Sequence, residues 1–179
     1  MNRFKKWAEH EYSKKQRMIA VVFGGVVFWV TIPFFIVGAS SYIDQWVHLP
    51  KFYYGLINPV IGSLFIVIGW LFANWTVRIQ FALGRGTPIP LMATQKQVIK
   101  GPYTYCRNPM TLGTAIFYLG VAIWLGSFSA VGLGLVYPAG ILIYIKLIEE
   151  KELVERFGSE YLKYKKSTPF LMPHLRKKN

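Results

Sequence analysis

Three long segments without a formal charge constrain this chain more than any other feature of its sequence. They are the 26 residues between Arg17 and Asp44, the 26 between Lys51 and Arg78, and the 38 between Arg107 and Lys146. A membrane-spanning helix needs about 20 predominantly apolar residues. The first two segments are each long enough for one span. The third is long enough for two short spans joined by a tight turn.

The sequence therefore predicts an all-α, polytopic membrane protein with about four transmembrane helices in a single domain. We expect spans over residues 18–39, 56–77, 110–125 and 131–147, with an outer loop at 40–53 and a turn at 126–129. Residues 1–17 contain Trp7 and Tyr12 and are typical of a helix at the membrane interface. Apolar side chains recur every three or four residues over 146–166, which predicts a helix beyond the membrane, interrupted at Gly158.

The basic residues indicate the orientation of these spans. The net charge is +13, and 20 of the 21 Lys and Arg residues fall before residue 18, between 78 and 107, or from 146 onward. Four spans place these three segments on one side, which is the positive-inside pattern. We expect both termini and the site to be cytosolic, with membrane lipids as partners. The basic segments lack the interleaved aromatic motif of a nucleic-acid-binding protein, so we expect no nucleic-acid partner.

Several chemistries are disfavoured by the residues that would carry them. Cys106 is the one cysteine, so no internal disulfide can form. The three histidines are scattered without metal-ligand spacing, so no metal is expected. The glycines near residue 85 follow no strand, and no Gly-Lys-Ser or Gly-Lys-Thr sequence follows them. They are therefore not a phosphate-binding loop or a dinucleotide-binding motif.

Proline and glycine mark two features within the spans. Pro33 lies inside the first span, where a kink is tolerated in a helix bundle. Small residues permit close contact between membrane helices. On the fourth span we expect this role for Gly132, Gly134 and Gly140.

Two polar clusters flank the third apolar segment. Residues 101–110 precede it and residues 149–152 follow it. If the segment is a membrane hairpin, both clusters lie on the same side of the bilayer and face each other. Asn108 and Pro109 favour a non-helical backbone followed by a helix start. The backbone N–H groups of a helix start can receive a carboxylate.

Five of the eight acidic residues lie between Glu149 and Glu160. A solvated helix face accounts for Glu152, Glu155 and Glu160. Glu149 instead shares a face with Ile145 and Leu153, which is directed into the bundle if Leu153 is buried. A carboxylate held there needs a cationic or hydrogen-bonding partner. We consider two partners, which are Arg107 and a ligand with hydroxyl or ammonium groups. A zwitterionic ligand would suit both clusters.

The order of these motifs resembles a known family. The chain reads Gly-Pro-Tyr-x-x-x-Arg-Asn-Pro-Met at 101–110, then Glu-Glu-x-x-Leu-x-x-x-Phe-Gly-x-x-Tyr-x-x-Tyr at 149–164, then Pro169. This is similar to the integral-membrane methyltransferases of the isoprenylcysteine carboxyl methyltransferase and phospholipid methyltransferase superfamily. The resemblance covers about residues 78–173 and implies a cofactor-binding core there, between two spans (18–77) and a basic tail (174–179).

The resemblance implies S-adenosylmethionine as cofactor, in-line displacement at its methyl carbon, and a lipophilic acceptor that enters from the bilayer. It implies catalytic roles for Arg107 and Glu149. The implied cofactor contacts are Gln97, Val98, Tyr103, Asn108, Pro109, Met110, Thr111, Glu149 and Glu150.

The acceptor stays open between an isoprenylcysteine-like carboxylate, a phospholipid amine and a small thiol. Ile145 stands where the isoprenylcysteine enzymes have a substrate-binding arginine, and Asn108 stands where they have histidine. The departure at Ile145 counts against the carboxylate. Two alternatives are an NADPH-dependent membrane reductase of the sterol reductase type and a non-catalytic membrane scaffold.

Overall fold

The computed structural model is all-helical over the residues it describes, 12–84 and 94–173. The only strand-like pairing within these ranges is an isolated bridge between Lys51 and Ser127. The helices are α1 (Lys14–Val26), α2 (Ile32–Val47), α3 (Ile57–Leu83), α4 (Pro109–Leu125), α5 (Phe128–Tyr144) and α6 (Glu150–Ser167). π-helical turns join α1 to α2 (Val27–Thr31) and α5 to α6 (Ile145–Glu149), and a 3₁₀ turn covers Gly101–Thr104.

The apolar helices confirm the predicted fold class. Three continuous helical stretches, Lys14–Val47, Ile57–Leu83 and Phe128–Ser167, are long and apolar enough to cross a membrane, and Pro109–Leu125 is a shorter apolar helix. Charged residues recur from Lys146 onward, so the span in the last stretch ends near Tyr144 and α6 lies beyond it. Most of the expected interfacial helix (residues 1–11) and the basic tail (174–179) lie outside the described residues.

The first span is longer than predicted, and the expected loop from Ser40 is wrong. The helix continues to Val47 and ends at His48, whose backbone is left-handed. Ser40 and Ser41 donate their hydroxyl hydrogen bonds to the Val37 carbonyl, so they fit within the helix. Polar side chains near a predicted span end therefore do not mark the helix end here.

Pro33 follows directly after the first π-helical turn. In this turn the Ile32 N–H donates to the carbonyl of Val27, one residue earlier than in an α-helix. Pro33 would be the next donor, to the Phe28 carbonyl. Because proline has no backbone N–H, that carbonyl receives no hydrogen bond from residue 33. The Tyr118 hydroxyl donates to that carbonyl at 3.0 Å. An unsatisfied carbonyl is costly in a membrane, and Tyr118 removes this cost.

The contacts between residues define two compact units. The first comprises residues 1–24, 74–110 and 143–179, and the second comprises residues 25–73 and 111–142. In the second unit, a core of Ile36, Phe117, Tyr118, Ala122 and Ala130 is buried. The Trp29 ring meets the Phe117 ring edge-on, with 4.9 Å between centroids.

Glycines set the approach of α3 to α4 in the second unit. A Cβ at Gly69 would lie 2.5 Å from the Phe117 backbone nitrogen and 2.6 Å from the Gly113 carbonyl oxygen. The same crowding recurs about two helical turns away, where a Cβ at Gly62 would lie 2.8 Å from the Gly120 carbonyl oxygen. These backbones therefore touch at positions where a side chain would not fit.

The close contact expected from the α5 glycines is confirmed at one position of three. A Cβ at Gly134 would meet the Tyr118 side chain at 3.3 Å. Gly132 and Gly140 have open space within 4 Å, so the expected contact there is wrong. Both face away from the neighbouring helices of their unit.

Candidate functional site

Arg107 and Glu150 form an ion pair in the first unit. The Arg107 guanidinium donates from Nη1 to a Glu150 carboxylate oxygen, and its Nε donates to the Thr168 carbonyl at 3.1 Å. Lys165 Nζ lies 2.6 Å from the other Glu150 oxygen. The Glu150 side chain is 6% exposed, so this carboxylate is buried between two cations.

The chain after α6 binds the same motif through its main chain. The Arg107 N–H donates to the Pro169 carbonyl, and the Asn108 side-chain amide donates to the Phe170 carbonyl, both at 2.9 Å. The Tyr164 hydroxyl donates to the Tyr103 carbonyl at 2.8 Å. Residues 101–110 and the glutamate-bearing helix therefore meet, as the sequence predicts. The contribution of residues 168–170 was missed, because main-chain acceptors leave no signature in the sequence.

Glu149 is placed differently from Glu150. It ends the second π-helical turn, in which the Glu150 N–H donates to the Ile145 carbonyl. Burial and then repulsion from Glu152 raise the pKa of Glu149 to about 7, against an opposing attraction from Arg156. On the same face Ile145 is buried, and Glu149 and Leu153 are partly buried, so this face is directed partly inward. The cation beside Glu149 is Arg156, whereas Arg107, the partner considered from the sequence, pairs with Glu150.

Glu152 is buried, so its assignment to a solvated face is wrong. Its side chain is 9% exposed, and Arg156 Nη1 lies 3.8 Å from its Oε1. The Arg156 Nη2 donates to the carbonyl of Thr94, which directs the guanidinium toward that segment. Burial raises the pKa of Glu152. Glu155 and Glu160 are exposed, as the sequence predicts.

Gln97 has an unsatisfied side chain. Its Oε1 and Nε2 are both buried without a hydrogen-bond partner among the described residues, and so is Oε1 of Glu152. Buried polar side chains nearly always have a partner. Gln97 follows Thr94 by three residues in a segment whose start is fixed, because the Gln95 N–H donates to the Gly84 carbonyl at 2.7 Å. These buried atoms are candidates for contact with a polar ligand.

The sequence model of the phospholipid methyltransferase family matches residues 57–160, which is more than half of the chain. The chain belongs to the phospholipid methyltransferase family. This confirms the resemblance, supports a membrane methyltransferase, and favours it over the reductase and the scaffold. Among curated proteins, no sequence matches this chain closely enough to count as a relative.

Of the remaining residues expected to contact the cofactor, Val98, Tyr103, Pro109 and Met110 belong to the first unit. Tyr103 donates its hydroxyl to the Gln80 side chain, and burial raises its pKa. Pro109 begins α4, as the sequence predicts, and is buried. Met110 is partly buried in the first unit, and Thr111 is the first residue of the α4 part of the second unit. Val98 is partly buried and lies near Gly84.

The described residues hold few alternatives to a ligand-binding role. In residues 12–84 and 94–173, no group of three His, Cys, Asp or Glu is placed to hold a metal ion. Cys106 is fully buried, and burial raises the pKa of its thiol, which disfavours the nucleophilic thiolate. The polar chemistry of the first unit is therefore concentrated in its glutamates, arginines and Gln97.

Proposed function

We propose that this protein transfers a methyl group from S-adenosylmethionine to a lipophilic acceptor in the membrane. One observation carries the proposal: residues 101–110 are joined to the glutamate pair through Arg107 and Glu150. Family membership supports the same reaction class. The methyl donor and the acceptor are the parts that we propose.

The residues of the first unit fit the proposed cofactor. S-adenosylmethionine carries a sulfonium, an ammonium, a carboxylate and hydroxyl groups. Glu149 is an inward-facing carboxylate that suits a cationic group, and the unsatisfied amide of Gln97 can both donate and accept. The backbone N–H groups at the start of α4 suit the carboxylate. The cofactor supplies an activated methyl group, so the protein has only to bind, orient and exclude water.

Arg107 acts in this proposal as a positioning residue. Its guanidinium is engaged by Glu150 and by the Thr168 carbonyl, and it lies 5.3 Å from the centroid of the Phe170 ring. These contacts fix the backbone of Asn108 and Pro109 at the start of α4. Glu149, in contrast, is oriented by the second π-helical turn and remains the residue proposed to contact the cofactor.

A lipid acceptor fits the surroundings of the site better than a soluble one. The spans expose many large apolar side chains, so the protein is embedded among lipids. Ile145 is buried and apolar where a carboxylate acceptor would need a cation. We propose that the acceptor enters from the bilayer and the cofactor from the cytosol, with both termini on the cytosolic side.

The test is methyl transfer by purified protein in lipid nanodiscs with methyl-labelled S-adenosylmethionine. Phosphatidylethanolamine, an isoprenylcysteine analogue and a small lipophilic thiol are offered in turn as acceptors. We expect label in one acceptor class and at least tenfold less with Glu149→Gln, whereas Glu160→Gln, on the exposed face, keeps full activity. NADPH binding without adenosyl-ligand binding would instead support the reductase, and binding of neither would support the scaffold.

A further inference from the structure

Around Glu149, the acidic side chains outnumber the cationic ones. Glu150 has two cations of its own, Arg107 and Lys165. Glu149 and Glu152 lie three residues apart, so they share one side of a helix. The cation that acts on both is Arg156. With both carboxylates ionised, this group of three carries one excess negative charge.

The position of Arg156 leaves a Glu152 oxygen without a hydrogen bond. Because the guanidinium donates to the Thr94 carbonyl, its Nη1 remains 3.8 Å from Glu152 Oε1, which is beyond hydrogen-bond distance. That oxygen is buried and has no hydrogen-bond partner among the described residues. A buried carboxylate oxygen without a hydrogen bond is costly. A cationic or hydroxyl-bearing ligand would satisfy it.

We propose that Glu152, acting together with Glu149, makes the site select ligands by charge, holding the cationic methyl donor more tightly than the neutral product. This inference rests on the proposed function. S-adenosylmethionine has one net positive charge, and S-adenosylhomocysteine has none, because loss of the methyl group converts the sulfonium to a thioether. The excess negative charge of the three residues matches the donor, so methyl transfer itself weakens binding and favours product release.

The experiment measures dissociation constants by calorimetry on the full-length protein in detergent or nanodiscs. The ligands are S-adenosylhomocysteine and sinefungin, which carries an ammonium where the donor has its sulfonium and cannot transfer a methyl group. We expect the wild type to prefer sinefungin. Glu152→Gln should lower this preference about tenfold, which is the change that 1.4 kcal/mol produces. Glu152→Asp, which keeps the charge, should retain most of it, and Glu160→Gln should leave it unchanged.

The outcomes separate this inference from the proposed function. Equal loss of affinity for both ligands in Glu152→Gln would show a merely structural role, and an unchanged preference would show no role; either overturns the inference and leaves the methyltransferase proposal standing. If Glu152→Gln fails to fold, the wild type still decides, because a wild type without preference for sinefungin contradicts charge selection. Failure of the wild type to bind either ligand would overturn the proposed function as well.

Discussion

The two units are stabilised by opposite means. In the second unit, α3 and α4 approach through glycines at which a Cβ would lie under 3 Å from backbone atoms. In the first unit, charged side chains and main-chain carbonyls hold the motif, and several polar atoms remain unsatisfied. Both units contain buried polar atoms without a hydrogen-bond partner among the described residues, at Asp44 and Ser129 in the second unit and at Gln97 and Glu152 in the first. The difference lies in what holds each unit together, which is close backbone packing at glycines in the second and ion pairs with main-chain carbonyl contacts in the first.

The largest expected effect is loss of the buried ion pair. Glu150→Ala leaves the Arg107 guanidinium buried without its carboxylate, which should lower the free energy of unfolding by about 3–5 kcal/mol. Chemical denaturation in mild detergent measures this. The double variant Arg107→Leu and Glu150→Leu should recover most of the loss, because no unpaired charge remains. A double variant as unstable as the single one would contradict a purely electrostatic role for this pair.

A smaller effect is expected at the glycine contacts. Gly69→Ala places a methyl group against the Gly113 carbonyl and the Phe117 backbone, and should cost about 1–3 kcal/mol. Gly132→Ala is the matched control, because a Cβ there meets nothing within 4 Å, and it should not destabilise the protein. Thermal unfolding of the two variants gives the comparison. Equal melting temperatures would mean that close approach does not hold the second unit.

The pH dependence of ligand binding should reflect Glu149. Its raised pKa of about 7 means that Glu149 of the empty site is protonated below about pH 7 and ionised above it, so a cationic ligand binds better as that proton is lost. Affinity for sinefungin should rise about tenfold from pH 6 to pH 8. The stability of the ligand-free protein should fall as pH rises from about 4.5 to about 7 and level off above that, because ionised Glu149 is disfavoured by burial. Glu149→Gln should flatten both profiles, and an unchanged profile would place the titration elsewhere.

The smallest expected effect belongs to Tyr118. Tyr118→Phe removes the donor to the Phe28 carbonyl without creating a cavity. Hydrogen bonds between membrane helices contribute about 0.6 kcal/mol on average, with a maximum near 1.7. We expect a loss in this range by thermal unfolding, with ligand affinity unchanged. A change in ligand affinity without a change in stability would contradict a purely structural role for this hydrogen bond.

The sequence predicted the apolar helices and the positions of a helix start and a helix break, which depend mainly on neighbouring residues. Charge-free length predicted four apolar helices, Pro109 marked the start of α4, and Gly158 marked the break in α6, where the backbone has φ 54. The order of the two motifs also predicted that residues 101–110 would meet the glutamates. The first three signals lie in the residues at the feature itself, and the fourth lies in the order of two motifs along the chain.

Two features that depend on residues distant in the chain were missed, namely which glycines contact another helix and the burial of Glu152. Gly132 and Gly69 look equivalent in sequence, but only Gly69 faces another backbone, and no local signal separates them. Glu152 looked solvated because its burial depends on the segment at Thr94 that Arg156 binds. The Glu152 to Arg156 spacing of four residues was the one available sign of a pair.

The most direct test of the central claim is calorimetric titration of S-adenosylmethionine into the wild type, Glu149→Gln and Glu160→Gln. The two variants remove the same charge from the same helical stretch, one at the inward face and one at the exposed face. The account predicts binding by the wild type and Glu160→Gln and an affinity at least tenfold weaker for Glu149→Gln. Equal affinities for all three proteins would contradict it.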